Sequence, residues 1–424
     1  MPEPIATPPS EFRKPNNLRK LSKSPIIGRF AVTNHFNATV DALAPTSKFP
    51  RLKAFLPQNL WPWVWKFVKN YFSSRIDFPA YENSGSSGVY PLSPADGSDE
   101  SIKIAIAGDW GTGTYEAYRI AQLMDTPKRD ITIHLGDVYY VGDGPEIAEN
   151  CLGKPMKGHV GVYWPKGTKG SFALNGNHEM YARGGPYFQT FLPTLGMTGN
   201  PKGQIASYFC LEASQWRVIA IDTGYNSVGI PILSWIPFIN TIPFIGGDCH
   251  LESSFIDWLR NTVKPDQNPK STLLLSHHQC FSAFADGDYP KPAKQLAEFF
   301  KGREFVWIWG HEHRLATYKK YTTDDDLTFY ARCLGHGGMP VEVGTPDLSK
   351  APIMLYDTRT HKLDDGSPVG QNGFLDVTIQ GPTLTLEYRD IDNIVLLTEQ
   401  FSKGINGVLD YTFQNPGILT PPSQ

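Results

Sequence analysis

Five short segments of this chain combine residue types that can bind metals. They are Gly108-Asp109-Trp110-Gly111, Gly136-Asp137-Val138-Tyr139-Tyr140, Gly176-Asn177-His178-Glu179, Ser276-His277-His278 and Gly310-His311-Glu312-His313. Carboxylate, imidazole, amide oxygen and phenolate together suit iron, zinc or manganese. Any one segment is weak evidence, because an Asp after a strand is as readily a cap or turn residue. All five in succession are strong evidence for a metal centre.

Something must bring these side chains together. The apolar runs Ile102–Ala107, Ile131–Leu135, Ser171–Leu174, Thr272–Leu275 and Phe305–Trp309 read as buried strands, and each stops just before one of the segments. A sixth run, Trp216–Ile221, ends on Asp222. In open α/β sheets the crevice beyond the carboxyl ends of the strands is where ligands bind. Between the runs lie helix-like stretches. In His250–Val263, for example, Leu251, Phe255, Trp258 and Leu259 share one face. The alternation predicts an α/β layered sheet. After Tyr330 the pattern turns to β-structure, with a hairpin expected from Phe374–Ile379, Gly381-Pro382 and Leu384–Tyr388.

From Ile102 to Gly338 the segments, in this order, resemble the calcineurin-like metallophosphoesterase superfamily, and within it the purple acid phosphatase branch. Most of the superfamily opens with Asp-x-His, where this chain has Gly111. Tyr140, three residues after Asp137, gives the GDxxY form of the branch. The resemblance implies a layered β-sandwich flanked by helices. It implies two metal ions, iron with zinc, manganese or a second iron. Asp109, Tyr140 and His313 would hold one ion, Asn177, His277 and His311 the other, and Asp137 would bridge them. His178 would meet the substrate phosphate or protonate the leaving group, with Glu179 placed to orient it. Two cations would neutralise a phosphate dianion and acidify a water into the attacking hydroxide. A tyrosinate on iron(III) would colour the protein. The implied activity is hydrolysis of phosphate esters, monoesters first. A phosphodiesterase on the same site is the alternative, and a non-catalytic phosphate-binding module is a reading of a different class. Three points stay open. Tyr139 adjoins Tyr140, so the register of the pair is undecided; His278 is either a substrate neighbour or a packed histidine; and His336 reads as part of a Gly-rich turn. The branch carries further histidines after the fourth segment, but residues 279–290 (QCFSAFADGDYP) contain none.

The rest of the chain sets outer bounds. With 424 residues, 40% of them hydrophobic, the chain can bury a large core. A net charge of −3 argues against a nucleic-acid binder. The five cysteines are scattered without a CxxC pair, so a reducing compartment is the default. The N-terminus lacks the apolar core of a secretory signal, and no uninterrupted apolar stretch would span a bilayer, so a cytoplasmic location is expected. The expected division is an N-terminal extension over residues 1–100, a catalytic domain over 101–400 and a tail over 401–424. Residues 1–25 read as disordered, Leu60–Phe72 as an amphipathic aromatic helix and Glu82–Gly88 as a linker. The charge-free run Gly229–Gly247 repeats Ile-Pro and reads as an inserted loop. It is expected to pack on the Trp61, Trp63 and Trp65 segment, with membrane contact the lesser reading.

Overall fold

The computed structural model describes residues 48–50, 52–56, 61–71, 73–82, 84–92, 101–156, 158–229, 247–284 and 287–422. Most of the Ile-Pro run (230–246) and the N-terminal stretch 1–47 lie outside these residues, and with them the packing and disorder expected there.

The strands in chain order are β1 (Val89–Pro91), β2 (Ile102–Ala107), β3 (Ile131–His134), β4 (Gly170–Ala173), β5 (Gly196–Met197), β6 (Phe209–Glu212), β7 (Trp216–Ala220), β8 (Ser271–Ser276) and β9 (Glu304–Trp309). They continue with β10 (Leu315–Thr322), β11 (Thr328–Leu334), β12 (Ile353–Tyr356), β13 (Thr360–Lys362), β14 (Pro368–Gly370), β15 (Gly373–Gln380), β16 (Thr383–Asp390), β17 (Val395–Lys403) and β18 (Leu409–Gln414). The α-helices are α1 (Trp61–Tyr71), α2 (Tyr115–Asp125), α3 (Gly144–Asn150), α4 (Asn177–Tyr181), α5 (Ser253–Trp258) and α6 (Lys291–Phe300). Two eight-stranded sheets form, in the orders β1-β6-β7-β8-β9-β11-β10-β12 and β18-β17-β16-β15-β2-β3-β4-β5.

Side-chain alternation explains the layering. Leu273 and Leu275 of β8, and Val306 and Ile308 of β9, enter one core with Ile104 and Ile106 of β2 and Val377 of β15. That core lies between the sheets. Leu274, Trp307 and Trp309 point the other way, onto Phe255 of α5 and Leu296 of α6. Ala105 and Ala107 point outward from the second sheet onto Ile120 of α2 and Ile147 of α3. Strands apolar on both faces therefore form the middle of a helix–sheet–sheet–helix stack, the sandwich flanked by helices that the resemblance implied. The five cysteines are buried. No helix among the described residues is long and apolar enough to cross a membrane.

At both ends the sheets reach past the boundaries expected from sequence. β1 pairs in parallel with β6, Val89 opposite Cys210, so ordered structure starts before Ser101. The stretch read as a linker is held too, since Trp258 donates its indole N–H to the Ser87 carbonyl at 2.7 Å. Residue 400 falls inside β17, and β18 pairs with that strand, Phe401 opposite Tyr411. The expected helix at Leu60–Phe72 forms as α1, and the expected hairpin forms as β15 and β16.

Candidate metal centre

The parallel strands β2, β3 and β4 of one sheet, and β8 and β9 of the other, deliver the five segments to one edge of the sandwich. Asp109, Asp137 and His311 take left-handed backbone angles, with φ of 56°, 75° and 65°. Non-glycine residues avoid that region, and where they adopt it they cluster at functional sites. The glycines beside them make room. A Cβ on Gly176 would stand 2.1 Å from Asp137 Oδ1, and one on Gly310 would stand 2.6 Å from Asp109 Oδ2.

Asp137 stands at the middle of two donor sets. Its Oδ2 accepts from the Tyr139 hydroxyl at 3.0 Å. That hydroxyl also reaches Asp109 Oδ1 at 2.8 Å and His313 Nε2 at 3.1 Å. The other oxygen, Oδ1, lies 3.4 Å from His277 Nε2, which is 3.2 Å from Asn177 Oδ1. Ligand atoms of His277, His278 and His311 lie within 4.8 Å of one another, and so do those of Asp109, Asp137 and His277. The structure thus brings Asp109, Asp137, Asn177, His277, His311 and His313 together.

Tyr140 is placed differently from Tyr139. Its ring stacks on Phe55 at 6.2 Å and packs with Phe67 of α1 and Val141, while the Tyr139 hydroxyl stands between the carboxylates. Nothing in the spacing separates two adjacent tyrosines; the backbone does. The Tyr139 N–H donates to the Gly111 carbonyl at 3.0 Å, and Asn150 donates to the Tyr139 carbonyl at 2.9 Å.

His178 is buried against the Tyr139 ring, 4.3 Å between centroids. Its Nδ1 faces the Tyr140 carbonyl at 2.5 Å, and Nε2 lies 3.6 Å from Asp137 Oδ2. Glu179 does not orient this ring. Its Oε2 accepts from the backbone N–H of Asp137 at 3.2 Å and of Gly176 at 3.0 Å, clamping the loops after β3 and β4 together. The orienting acceptor is the Tyr140 carbonyl. His278 joins the second donor set. Thr223 Oγ1 takes its backbone N–H at 2.9 Å and meets its Nδ1 at 3.2 Å. Asp222 holds the preceding loops through Tyr225 N–H at 2.7 Å and Asn175 at 3.2 Å. His336 sits in a turn whose neighbour Gly337 donates to the Gly108 carbonyl at 2.9 Å.

The donor set fits cations. His277 Nδ1 faces the Leu135 carbonyl at 2.8 Å, and a carbonyl only accepts, so the proton sits on Nδ1. Nε2 then presents its lone pair toward two further acceptors, Asn177 Oδ1 and Asp137 Oδ1. Three acceptors aimed at one point need a shared positive charge, either a second proton on His277 or a metal ion. Burial would lower His277, but Asp137 and then Asp109 raise it to about 10. Burial pushes Asp109 up to about 7, opposed by His277 and reinforced by Asp137. Asp137 resists burial and is held well below the usual carboxylate range by His178, His277 and His311. Imidazole, carboxylate, amide and phenol are ligand types for iron, zinc and manganese.

A family model described as calcineurin-like phosphoesterase matches residues 102–315. No curated protein matches the chain. Among solved structures, similarity extends to GAP50, the anchor in the inner membrane complex of Plasmodium, at 14% identity and a TM-score of 0.42, over 72% of this chain and 89% of that one. PhoD is similar at 11% identity and a TM-score of 0.44, over 76% and 74% of the two chains. Vacuolar protein sorting 29 from Cryptosporidium parvum follows at 12% identity and a TM-score of 0.26, over 76% and 100%. The sequence match, not these distant likenesses, carries the assignment.

Proposed function

Because this chain belongs to the calcineurin-like phosphoesterase family, whose chemistry is metal-dependent phosphoester hydrolysis, we propose that it hydrolyses phosphomonoesters at a two-metal centre. The observation that carries this reading is the division of Asp137, one oxygen toward each donor set. Asp109, Tyr139 and His313 would hold one ion, and Asn177, His277 and His311 the other. Two bound cations supply charge neutralisation for the phosphate and a more acidic water. The chain's own residues do the rest. Asp109 and Asp137 set the spacing of the two positions. His178, its Nδ1 fixed on the Tyr140 carbonyl, keeps Nε2 free to hold a proton for the leaving oxygen. His278 adds an imidazole beside the second set, where a phosphate oxygen would need a donor.

Protein purified without chelator should hold close to two transition-metal ions per chain by elemental analysis. Fewer than about one after reconstitution would refute the two-metal reading. A panel of monoesters and diesters assayed on the loaded protein tests the preference for monoesters; faster turnover of diesters would reassign the substrate class.

A Tyr139 ligand would give the site the tyrosine of the purple acid phosphatase branch, one residue from the position expected from sequence. A tyrosinate bound to iron(III) absorbs visible light. The iron-loaded protein should therefore be coloured, Tyr139→Phe should abolish the band, and Tyr140→Phe should leave it. Absorption spectra of the three proteins decide this; a band that survives Tyr139→Phe rules this ligand out.

A further inference from the structure

Asn177 is a ligand with two different ends. Only its oxygen can bind a cation, so the amide must point the right way. Its Nδ2 donates to the Tyr181 hydroxyl at 3.0 Å, which leaves Oδ1 facing His277 Nε2 at 3.2 Å. Tyr181 lies one turn further along α4 and does not enter either donor set.

Tyr181 is itself held from outside the family region. Trp63 and Phe67 of α1 meet its ring edge-on, at 5.9 Å and 76° and at 5.1 Å and 77°. They stand one helical turn apart and stack on each other at 5.3 Å, so a single face of α1 presents both. The His178 ring contacts Tyr181 as well, at 4.8 Å. Helix α1 is tied down on its other side. Lys66 donates to Glu146 Oε1 at 2.5 Å, and Glu146 Oε2 accepts from the Val141 N–H at 2.8 Å. The helix thus bridges the loop after Asp137 and the helix that starts at Asn177. Residues 61–71 lie before the matched region 102–315.

We propose that Tyr181 is a positioning residue that fixes the Asn177 amide with its oxygen toward the second metal position, and that α1 holds Tyr181 in place through Trp63 and Phe67. This rests on the two-metal reading above. Without the tyrosine hydroxyl the amide can rotate, and its NH₂ group then competes for the place of the ligand oxygen. Partners of this kind, one bond removed from the ion, typically change metal affinity about 10–100-fold when lost.

The test is titration of the metal-free 424-residue chain with manganese(II) alone and zinc(II) alone, against a competing chelator. Tyr181→Phe keeps the ring contacts and removes only the hydroxyl. It should weaken one of the two binding steps about 10–100-fold, leave the other unchanged, and leave the melting temperature of the metal-free protein where it was. Phe67→Ala should weaken the same step. Combined with Tyr181→Phe it should add less than its separate effect, since both act on one amide. Two binding steps in the wild type, both unaffected by Tyr181→Phe, would overturn the positioning role. So would equal weakening of both steps together with a lower melting temperature, which is what general loosening produces. A Phe67→Ala protein that binds both ions normally would overturn the part assigned to α1. A wild type that takes up a single ion would overturn the two-metal reading, and this inference with it.

Discussion

His178→Ala should leave both metal positions able to fill, yet lower turnover about 10²–10⁴-fold, the usual worth of a general acid. The separation of these two effects follows from which atoms of His178 do what. Its backbone N–H, not its side chain, donates to Asp137 Oδ1 at 3.0 Å. Alanine keeps that bond, so the central carboxylate stays in place. What alanine removes is a ring aimed by the Tyr140 carbonyl and packed between the Tyr139 and Tyr181 rings. A proton held at Nε2 matters most when the leaving oxygen is strongly basic. The deficit should therefore be larger for an alkyl phosphate than for a nitrophenyl phosphate. Kinetics on both substrates, with elemental analysis of the same samples, checks the claim. Loss of an ion would make His178 a ligand, and an equal deficit on both substrates would remove its role as proton donor.

Most of this site could be read from the chain because the strands that deliver it are simple. β2, β3, β4, β8 and β9 are short apolar runs buried on both faces, so composition marked them and the polar residues that follow them stood out. The left-handed angles of Asp109, Asp137 and His311 leave a trace in sequence too, as glycines packed close to the two carboxylates. The tyrosine register left no such trace. Tyr139 and Tyr140 have the same composition and the same neighbours in sequence, and only the contacts of the loop with Gly111 and Asn150 decide which hydroxyl meets the carboxylates. The role of Glu179 differs from the expected one for a related reason. A carboxylate next to a histidine suggests a pair, but in the first turn of a helix it reaches back to the backbone N–H groups instead.

The edges of the fold were harder to see than its centre. β1 is three residues long and pairs with β6, a partner more than a hundred residues away, so local pattern carries little signal for it. Leu397–Phe401 of β17 and Leu409–Tyr411 of β18 alternate buried with more exposed positions, the pattern of a sheet with one wet face, and their pairing with the hairpin is a long-range fact. Helix α1 was plain from its spacing, but its destination was not. The apolar run expected as its partner lies largely outside the described residues, while Tyr181, which it does meet, carries no apolar periodicity that points to a helix elsewhere.

Glu399→Gln should destabilise the protein by about 3–5 kcal/mol, because it strands a buried guanidinium. Arg332 of β11 and Glu399 of β17 belong to different sheets, and both are fully buried. Their two parallel bonds are 2.6 Å each, Nε to Oε2 and Nη2 to Oε1. Arg332 also donates to the Tyr318 carbonyl at 2.7 Å, and Glu399 accepts from Tyr388 at 2.7 Å and Tyr411 at 2.5 Å. Burial works against the arginine's charge, yet Glu399 holds its pKa above the usual value. Glutamine removes the charge and turns one acceptor into a donor aimed at another donor. A double replacement, Arg332→Met with Glu399→Leu, should not by itself recover the loss, since the Tyr388 and Tyr411 hydroxyls would then be buried without their acceptor. Adding Tyr388→Phe and Tyr411→Phe should bring stability back toward the wild type, as apolar groups of similar volume often match a buried ion pair. Urea unfolding of the wild type and the three variants measures this series. A Glu399→Gln protein within about 1 kcal/mol of the wild type would show that the pair does not clamp the sheets. A quadruple variant no more stable than the single one would show that packing between the sheets, rather than the stranded charge, sets the cost.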